Sequence, residues 1–205
     1  EIALVNRYIT NSLNKPKMVI VKEYQDLLWA KSLAGGIEFC EAKQGRPLQL
    51  TDFFDVLRPK KAKVLGENMW TYQHGPIDLV FMRTRHVPDS ATSIDEAQWC
   101  SGLLINRRVW ISGDTMFDRD YPISFSKISE VMFHDCQMFQ GGVHASYREL
   151  MTLPAEVRSK MYLYHYNDNW DNPKTWVGTS DNFTGDPLQD GFLGWAQQQV
   201  AYDFS

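Results

Sequence analysis

Cysteine is scarce in this chain: three among 205 residues, Cys40, Cys100 and Cys136, with no Cys-x-x-Cys pair. That number and spacing exclude a disulfide-knit scaffold and a thiolate zinc knuckle. They fit a reducing, cytoplasmic setting in which all three thiols pack into the core. No run comes near the ~20 consecutive apolar residues that a membrane helix needs, so a spanning protein is not expected. No secretory leader is visible, although the chain starts abruptly at Glu1 and an upstream segment could hide one. An excess of positive charge is lacking as well: 25 acidic against 21 basic residues give a formal charge of -4. Global attraction to nucleic acid is thereby excluded. Two local basic clusters remain, residues 58–63 and 83–85, and a solvated loop face accounts for the first. Repeats, low-complexity segments and linkers are absent, so the whole chain, 1–205, reads as belonging to one domain.

Apolar and aromatic residues are plentiful: 43% hydrophobic, with seven Trp, nine Tyr and eleven Phe. They imply a thick, aromatic-rich core. Apolar spacing predicts helices over residues 1–14 and 23–34, the second stopped by Gly35-Gly36, and strands over 18–21 and 37–42. A short helix capped by Thr51 or Asp52 is expected over 50–57. Short β-rich runs then follow at 64–65, 69–72, 77–84, 101–105 and 108–111, with Asn106-Arg107 suited to a tight hairpin turn. Further strands are expected at 131–134 and 161–164, with a helix over 145–160 broken at Pro154. The tail from residue 167 reads as a long ordered loop, closed by a last helix over 192–200. Meandering strands followed by strands alternating with helices point to a layered α/β domain.

Three apolar strands end in metal-capable side chains: 79–82 leads to His86, 109–113 to Asp114, and 161–164 to His165. Strand ends are held rigidly by the sheet yet reach solvent. Imidazole nitrogen with carboxylate oxygen suits Zn²⁺ or Mn²⁺ better than Ca²⁺. Taken singly, each residue is weak evidence, since a lone His at a strand end is more often a hydrogen-bonded structural residue.

The surrounding residues add specificity. Ser112-Gly113-Asp114-Thr115 resembles the Gly-Asp-Thr motif of the metallo-β-lactamase superfamily. Residues 133–137, then Val143-His144-Ala145-Ser146, then Tyr164-His165-Tyr166, resemble the order found in its ribonuclease Z and phosphodiesterase branch. The resemblance runs from about Lys15 to Tyr166. It implies an α/β fold, a partial αββα sandwich of two mixed β-sheets with outer helices, its N-terminal strands missing. It also implies two Zn²⁺ ions, Mn²⁺ being possible, with His86 and His165 each ligating one metal and Asp114 bridging both. His144 would be the catalytic proton donor and Asp135 the acid that orients it. His74 and His134 have no place in the pattern and read as structural.

The family's His-x-His-x-Asp-His motif is missing, since no two of the five histidines are separated by a single residue. Three explanations stay open: a separate N-terminal chain carrying the motif, residues omitted from a longer parent, or a catalytically inactive relative with a structural or binding role. Loss of the first strands would leave an open sheet edge and an uncovered apolar face, so a partner or homo-oligomer is expected. With a completed site, the resemblance implies hydrolysis of a nucleotide or RNA phosphodiester. The stretch between His86 and Asp114 lacks the basic arm of tRNA-processing relatives. A small substrate, such as a cyclic nucleotide, fits at least as well.

Overall fold

Alternation of apolar side chains at residues 77–84, 100–105, 109–111, 131–135 and 161–164 gives the molecule its main sheet. The structure, a computed structural model, describes residues 4–9, 14–41, 45–176 and 184–203, and is mixed α/β. It divides into two compact units, residues 1–72 and 73–205.

In the first unit, β1 (Lys17–Val19) pairs in parallel with β2 (Asp55–Leu57), Met18 opposite Val56. Leu48 and Phe53 are fully buried and gather Leu4, Trp29, Ile37 and Phe54 around them. Several expectations are corrected here. Helix continues from Lys22 through a π-helical turn, Trp29–Leu33, and then through Gly35-Gly36 to Ile37. There is thus no stop at the glycines, and the strand expected to start at residue 37 does not form. Neither glycine has a positive φ, and tertiary packing of Ile37 outweighs the ~1 kcal/mol per glycine that helix propensity costs. The helix expected over 50–57 is a single turn, Leu50–Phe53. Gln49 caps it, and Asp52 accepts the Gln49 N–H at 2.8 Å in a capping box. Residues 64–65 form an exposed turn rather than a strand. Cys40 is exposed and Cys100 half-buried, so only Cys136 is a core thiol. Of the helix expected over 1–14, the described part is a π-helical turn, Val5–Ile9, with Leu4 before it, and Asn14 lies in a bend; residues 1–3 and 10–13 lie outside the described residues. A hairpin of β3 (Lys60–Lys61) with β4 (Met69–His74) completes this part of the chain, Lys61 opposite Trp70.

The second unit is built on β5 (Ile77–Thr84), β6 (Cys100–Ile105), β7 (Val109–Ile111), β8 (Val131–Asp135), β9 (Met161–Tyr164) and β10 (Gly194–Trp195), hydrogen-bonded in the order β10-β9-β8-β7-β6-β5. β6 runs antiparallel to both β5 and β7, whereas β7, β8, β9 and β10 are parallel to one another. Asn106 and Arg107 adopt φ of 52° and 55°, the left-handed pair that closes a two-residue hairpin between β6 and β7. One face of the sheet is buried through Met82, Leu104, Trp110, Met132, Met161 and Leu163. Phe125, from the helix Asp120–Ser126, stacks on Trp110 at 5.4 Å. The helix expected over 145–160 is two single turns, Tyr147–Leu150 and Ala155–Arg158, with Pro154 capping the second. No helix forms over 192–200. Leu193 and Ala196 donate their N–H groups to Met161 and Leu163 carbonyls, so this segment adds β10 to the sheet edge.

The antiparallel–antiparallel–parallel sequence makes β5, β7, β8 and β9 point the same way. Their C-terminal ends therefore lie along one edge, where an α/β sheet presents its functional side chains. Among the described residues, no helix is long and apolar enough to cross a membrane.

Candidate metal centre

Each strand of that edge delivers one functional side chain: His86 two residues after β5, Asp114 three after β7, Asp135 at the last position of β8, and His165 immediately after β9. His144 comes from the connection after β8. There, Gln137 N–H donates to the Ala145 carbonyl and Ala145 N–H to the Thr115 carbonyl, bringing the segment back beside the end of β7. The Ser146 capping box with Glu149 then fixes where the following helical turn begins.

The five side chains meet. Asp135 Oδ2 accepts from His144 Nδ1 at 2.7 Å, and Asp135 Oδ1 lies 3.2 Å from His165 Nδ1. Asp114 Oδ1 is 3.4 Å from the same His165 nitrogen. The His144 ring stands 4.8 Å from that of His86 and 4.5 Å from that of His165. Sequence order names His86, Asp114 and His165 as the ligand set. Among the described residues, however, the ligand atoms gathered within 4.8 Å of one another belong to Asp135, His144 and His165.

Asp135 organises the cluster. It is fully buried, its Oδ2 accepts the Thr115 N–H at 2.9 Å, and its own N–H donates to Ser112 Oγ at 2.9 Å. Its Oδ2 accepts from His144 Nδ1 and leaves the Nε2 of that ring available, while Oδ1 lies 3.2 Å from His165 Nδ1 without hydrogen-bond geometry. A carboxylate behind an imidazole is the usual way a protein fixes the tautomer and aim of a metal-ligating histidine. Burial pushes the Asp135 carboxyl up to about 7, against the Thr115 N–H and the His165 imidazole, which lower it. Burial likewise pushes His86 and His144 below the usual imidazole range; His144 adds to the effect on His86, while Asp114 opposes it on both.

Two atoms here are buried and lack a hydrogen-bond partner, Asp135 Oδ1 and His86 Nε2. Buried polar atoms are rarely left unpaired in folded proteins. A cation would satisfy both, and would also favour ionisation of a carboxyl that desolvation holds back. The donor set of three imidazoles and two carboxylates fits zinc or manganese.

The backbone is specialised at two points. Gly113 has φ +67°, and a Cβ there would lie 2.3 Å from the Ser101 carbonyl oxygen. His165 has φ +61°, in the left-handed region that non-glycine residues seldom occupy.

Ser112 and Thr115 escaped sequence reasoning as site residues. Ser112 Oγ accepts from Asp135 N–H and donates to the Gly113 carbonyl at 2.7 Å, tying the ends of β7 and β8 together. The available signal was a buried hydroxyl at the end of one parallel strand beside an acid at the end of the next. Of the remaining histidines, His74 is exposed on β4 and His134 is buried against Trp110 at 5.6 Å. His134 Nδ1 donates to the Asp135 carbonyl at 2.7 Å.

Burial lowers His134 to about 4, which has a thermodynamic consequence. The unfolded chain takes up a proton below ~6.5 while the folded chain refuses it until about 4, so stability present above 6.5 is lost as pH falls through that window. At pH 5 the loss is about 2 kcal/mol. His134→Asn, which keeps an N–H donor, is expected to remove that part of the pH dependence when urea unfolding is compared at pH 7.5 and pH 5. An unchanged difference between the two pH values would show that His134 is not its source.

Comparison with known proteins follows the same span of chain. The family model described as "Anti-Pycsar protein Apyc1" matches residues 1–201. Curated relatives with that name include proteins of Bacillus phage BSP38 (32% identical over 181 residues, 87% of this chain and 66% of the relative) and Bacillus phage 010DV004 (31%, with the same shares). A third is from Paenibacillus harenae, 32% identical over 159 residues, 77% of this chain and 58% of the relative. This chain thus spans a little under two thirds of the length of these relatives. Among solved structures, the metallo-beta-lactamase fold protein YhfI from Bacillus subtilis aligns at a TM-score of 0.43 and 14% identity, covering 70% of this chain and 52% of that one. The family description differs from the ribonuclease Z branch whose motif order the sequence resembles. With the model matching all but the last four residues, the chain belongs to the Anti-Pycsar protein Apyc1 family.

Proposed function

We propose that this chain carries the C-terminal part of a two-metal phosphodiesterase site and that its substrate is a nucleotide phosphodiester, a cyclic nucleotide being the class favoured. One observation carries the reading: five side chains from four strand ends and one returning loop converge on one spot, with two buried ligand-type atoms left unpaired. The relatives' name describes a counter to Pycsar, and the first two come from phages.

His86, Asp114 and His165 would hold the metals, with Asp114 shared between them. When bound, the ions supply Lewis acidity toward the phosphoryl oxygens and an activated water. His144, held at Nδ1 by Asp135, presents Nε2 to the site; in its imidazolium form it would give the Nε2 proton to the leaving alkoxide and return to the neutral ring. Asp135 Oδ1 also faces the His165 imidazole at 3.2 Å. Ligands matching the His-x-His-x-Asp-His motif come from outside this sequence, on the parent chain or a partner chain.

The test is metal content and hydrolysis of bis-p-nitrophenyl phosphate and of cyclic nucleotides by the parent protein, with the motif-bearing segment supplied. Zinc or manganese in the protein and metal-dependent turnover are expected. Absence of both would leave the non-catalytic reading, a structural or binding protein that keeps the fold. His144→Ala is expected to retain the metal and lower turnover by ~10²-fold or more; an unaltered rate would reduce His144 to a packing residue.

A further inference from the structure

A second concave site lies in the C-terminal part of the second unit. It is a cavity of about 540 Å³, a size common for small-molecule pockets. Its walls are aromatic. Tyr166, Trp170 and Trp195 meet at ring distances of 4.9 to 6.1 Å and at steep angles to one another, forming a corner rather than a stack. Tyr162 and Tyr202 close the other side, 5.0 Å apart. The corner is fixed from behind: Tyr166 Oη donates to the Ala196 carbonyl at 3.0 Å, and Tyr202 Oη accepts the Gln197 N–H at 2.8 Å.

Three large apolar side chains line this cavity yet remain exposed: Leu188 at 68%, Val200 at 47% and Trp170 at 40%. Apolar surface gathered around a concavity marks a binding site more often than it marks chance exposure. The polar groups of the lining decide what kind of ligand fits. Asp186 accepts from the Leu188 N–H and from Gln189 Nε2, one bond on each carboxylate oxygen, so it is engaged locally rather than aimed at a cation. Gln197 and Gln198, in contrast, are exposed residues of the lining, and their carboxamides offer both donors and acceptors. Aromatic faces with amide edges suit a planar ring that carries its own donors and acceptors.

We infer that this pocket binds a nucleobase, stacked on the face of Trp170 with its edge toward Trp195 and within reach of the Gln197 and Gln198 amides. The choice of a nucleobase among planar rings rests on the nucleotide substrate class proposed above. Tyr166 follows His165 directly in the chain, so the pocket wall begins one residue from the candidate metal centre.

Binding is tested with adenosine and uridine, which carry no phosphate, in the presence of EDTA. Tryptophan fluorescence and saturation-transfer NMR give the readout. Because the nucleosides carry no phosphate and EDTA withdraws any metal, binding is read apart from metal chemistry, and failure of the hydrolase reading and failure of this one are distinguishable. Nucleosides are expected to bind at millimolar concentration or below. Trp170→Ala should weaken binding by roughly 5- to 150-fold, while Trp170→Phe, which retains a stacking face, should keep most of it. Circular dichroism checks that both variants are folded. No nucleoside binding, equal loss in Trp170→Phe and Trp170→Ala, or a preference for tetramethylammonium over nucleosides would each overturn the assignment.

Discussion

Asp114→Ala is expected to remove bound metal entirely and to lower turnover by about 10³-fold or more, the loss of several kcal/mol of transition-state stabilisation. The carboxylate sits half-exposed at the open side of the cluster, 3.4 Å from His165 Nδ1. Its backbone, however, is anchored independently: the Asp114 carbonyl accepts Thr84 Oγ1 at 3.3 Å, and the next residue is tied to Asp135. Truncating the side chain should therefore leave the fold intact, and unchanged circular dichroism together with absent metal is the signature sought. The measurement is metal stoichiometry by mass spectrometry with the motif-bearing segment supplied, beside the rate on bis-p-nitrophenyl phosphate. A variant retaining both ions would show that Asp114 does not bridge them. A variant retaining one would assign it to a single metal.

Gly113→Ala should destabilise the protein by about 2–5 kcal/mol. An alanine there meets two penalties, the strain of a left-handed backbone and a collision that cannot be relieved by rotating a side chain. The colliding atoms are the Ser101 carbonyl oxygen and carbon, at 2.3 and 2.8 Å, and Ser101 is paired within the sheet opposite Arg83. Gly141 provides the control. It also has positive φ, +76°, but its added Cβ would meet nothing within 4 Å. Gly141→Ala should cost only the backbone part, about 1 kcal/mol. Urea midpoints of the two variants separate crowding from strain, and equal losses would contradict the close approach at Gly113.

The strand core was legible in the sequence because period-2 alternation is an intrinsic consequence of a sheet with one buried face. Residues 77–84 and 161–164 match β5 and β9 end for end, and Asn106-Arg107 forms the tight turn its composition favours. What escaped was decided by contacts remote in sequence. The spacing of apolar residues over 192–200 suits a helix, but Gly191 and Gly194 take φ of 87° and 122°, and the free edge of β9 offers carbonyls that a helix could not reach. Similarly, Gly35-Gly36 reads as a helix stop until Ile37 finds the cluster around Leu48 and Phe53.

The site was legible as a set of residues at strand ends, because strand direction and length fix where each chain segment emerges. Its internal geometry was not. Nothing in the order of motifs says that Asp135 touches two histidines at once, or that a serine hydroxyl spans β7 and β8. Those contacts depend on which strands are neighbours, and the β7–β8 adjacency is a product of the crossover through the helix Asp120–Ser126.

If His165 serves as the proposed metal ligand, its left-handed backbone sets durability against chemistry at a single position. Glycine or asparagine would sit there at lower conformational cost, by ~1 kcal/mol. Variants selected only for heat tolerance would therefore drift away from histidine at residue 165, whereas variants selected for turnover would keep it. Directed evolution of this protein would have to impose both pressures together to avoid trading its function for a higher melting point.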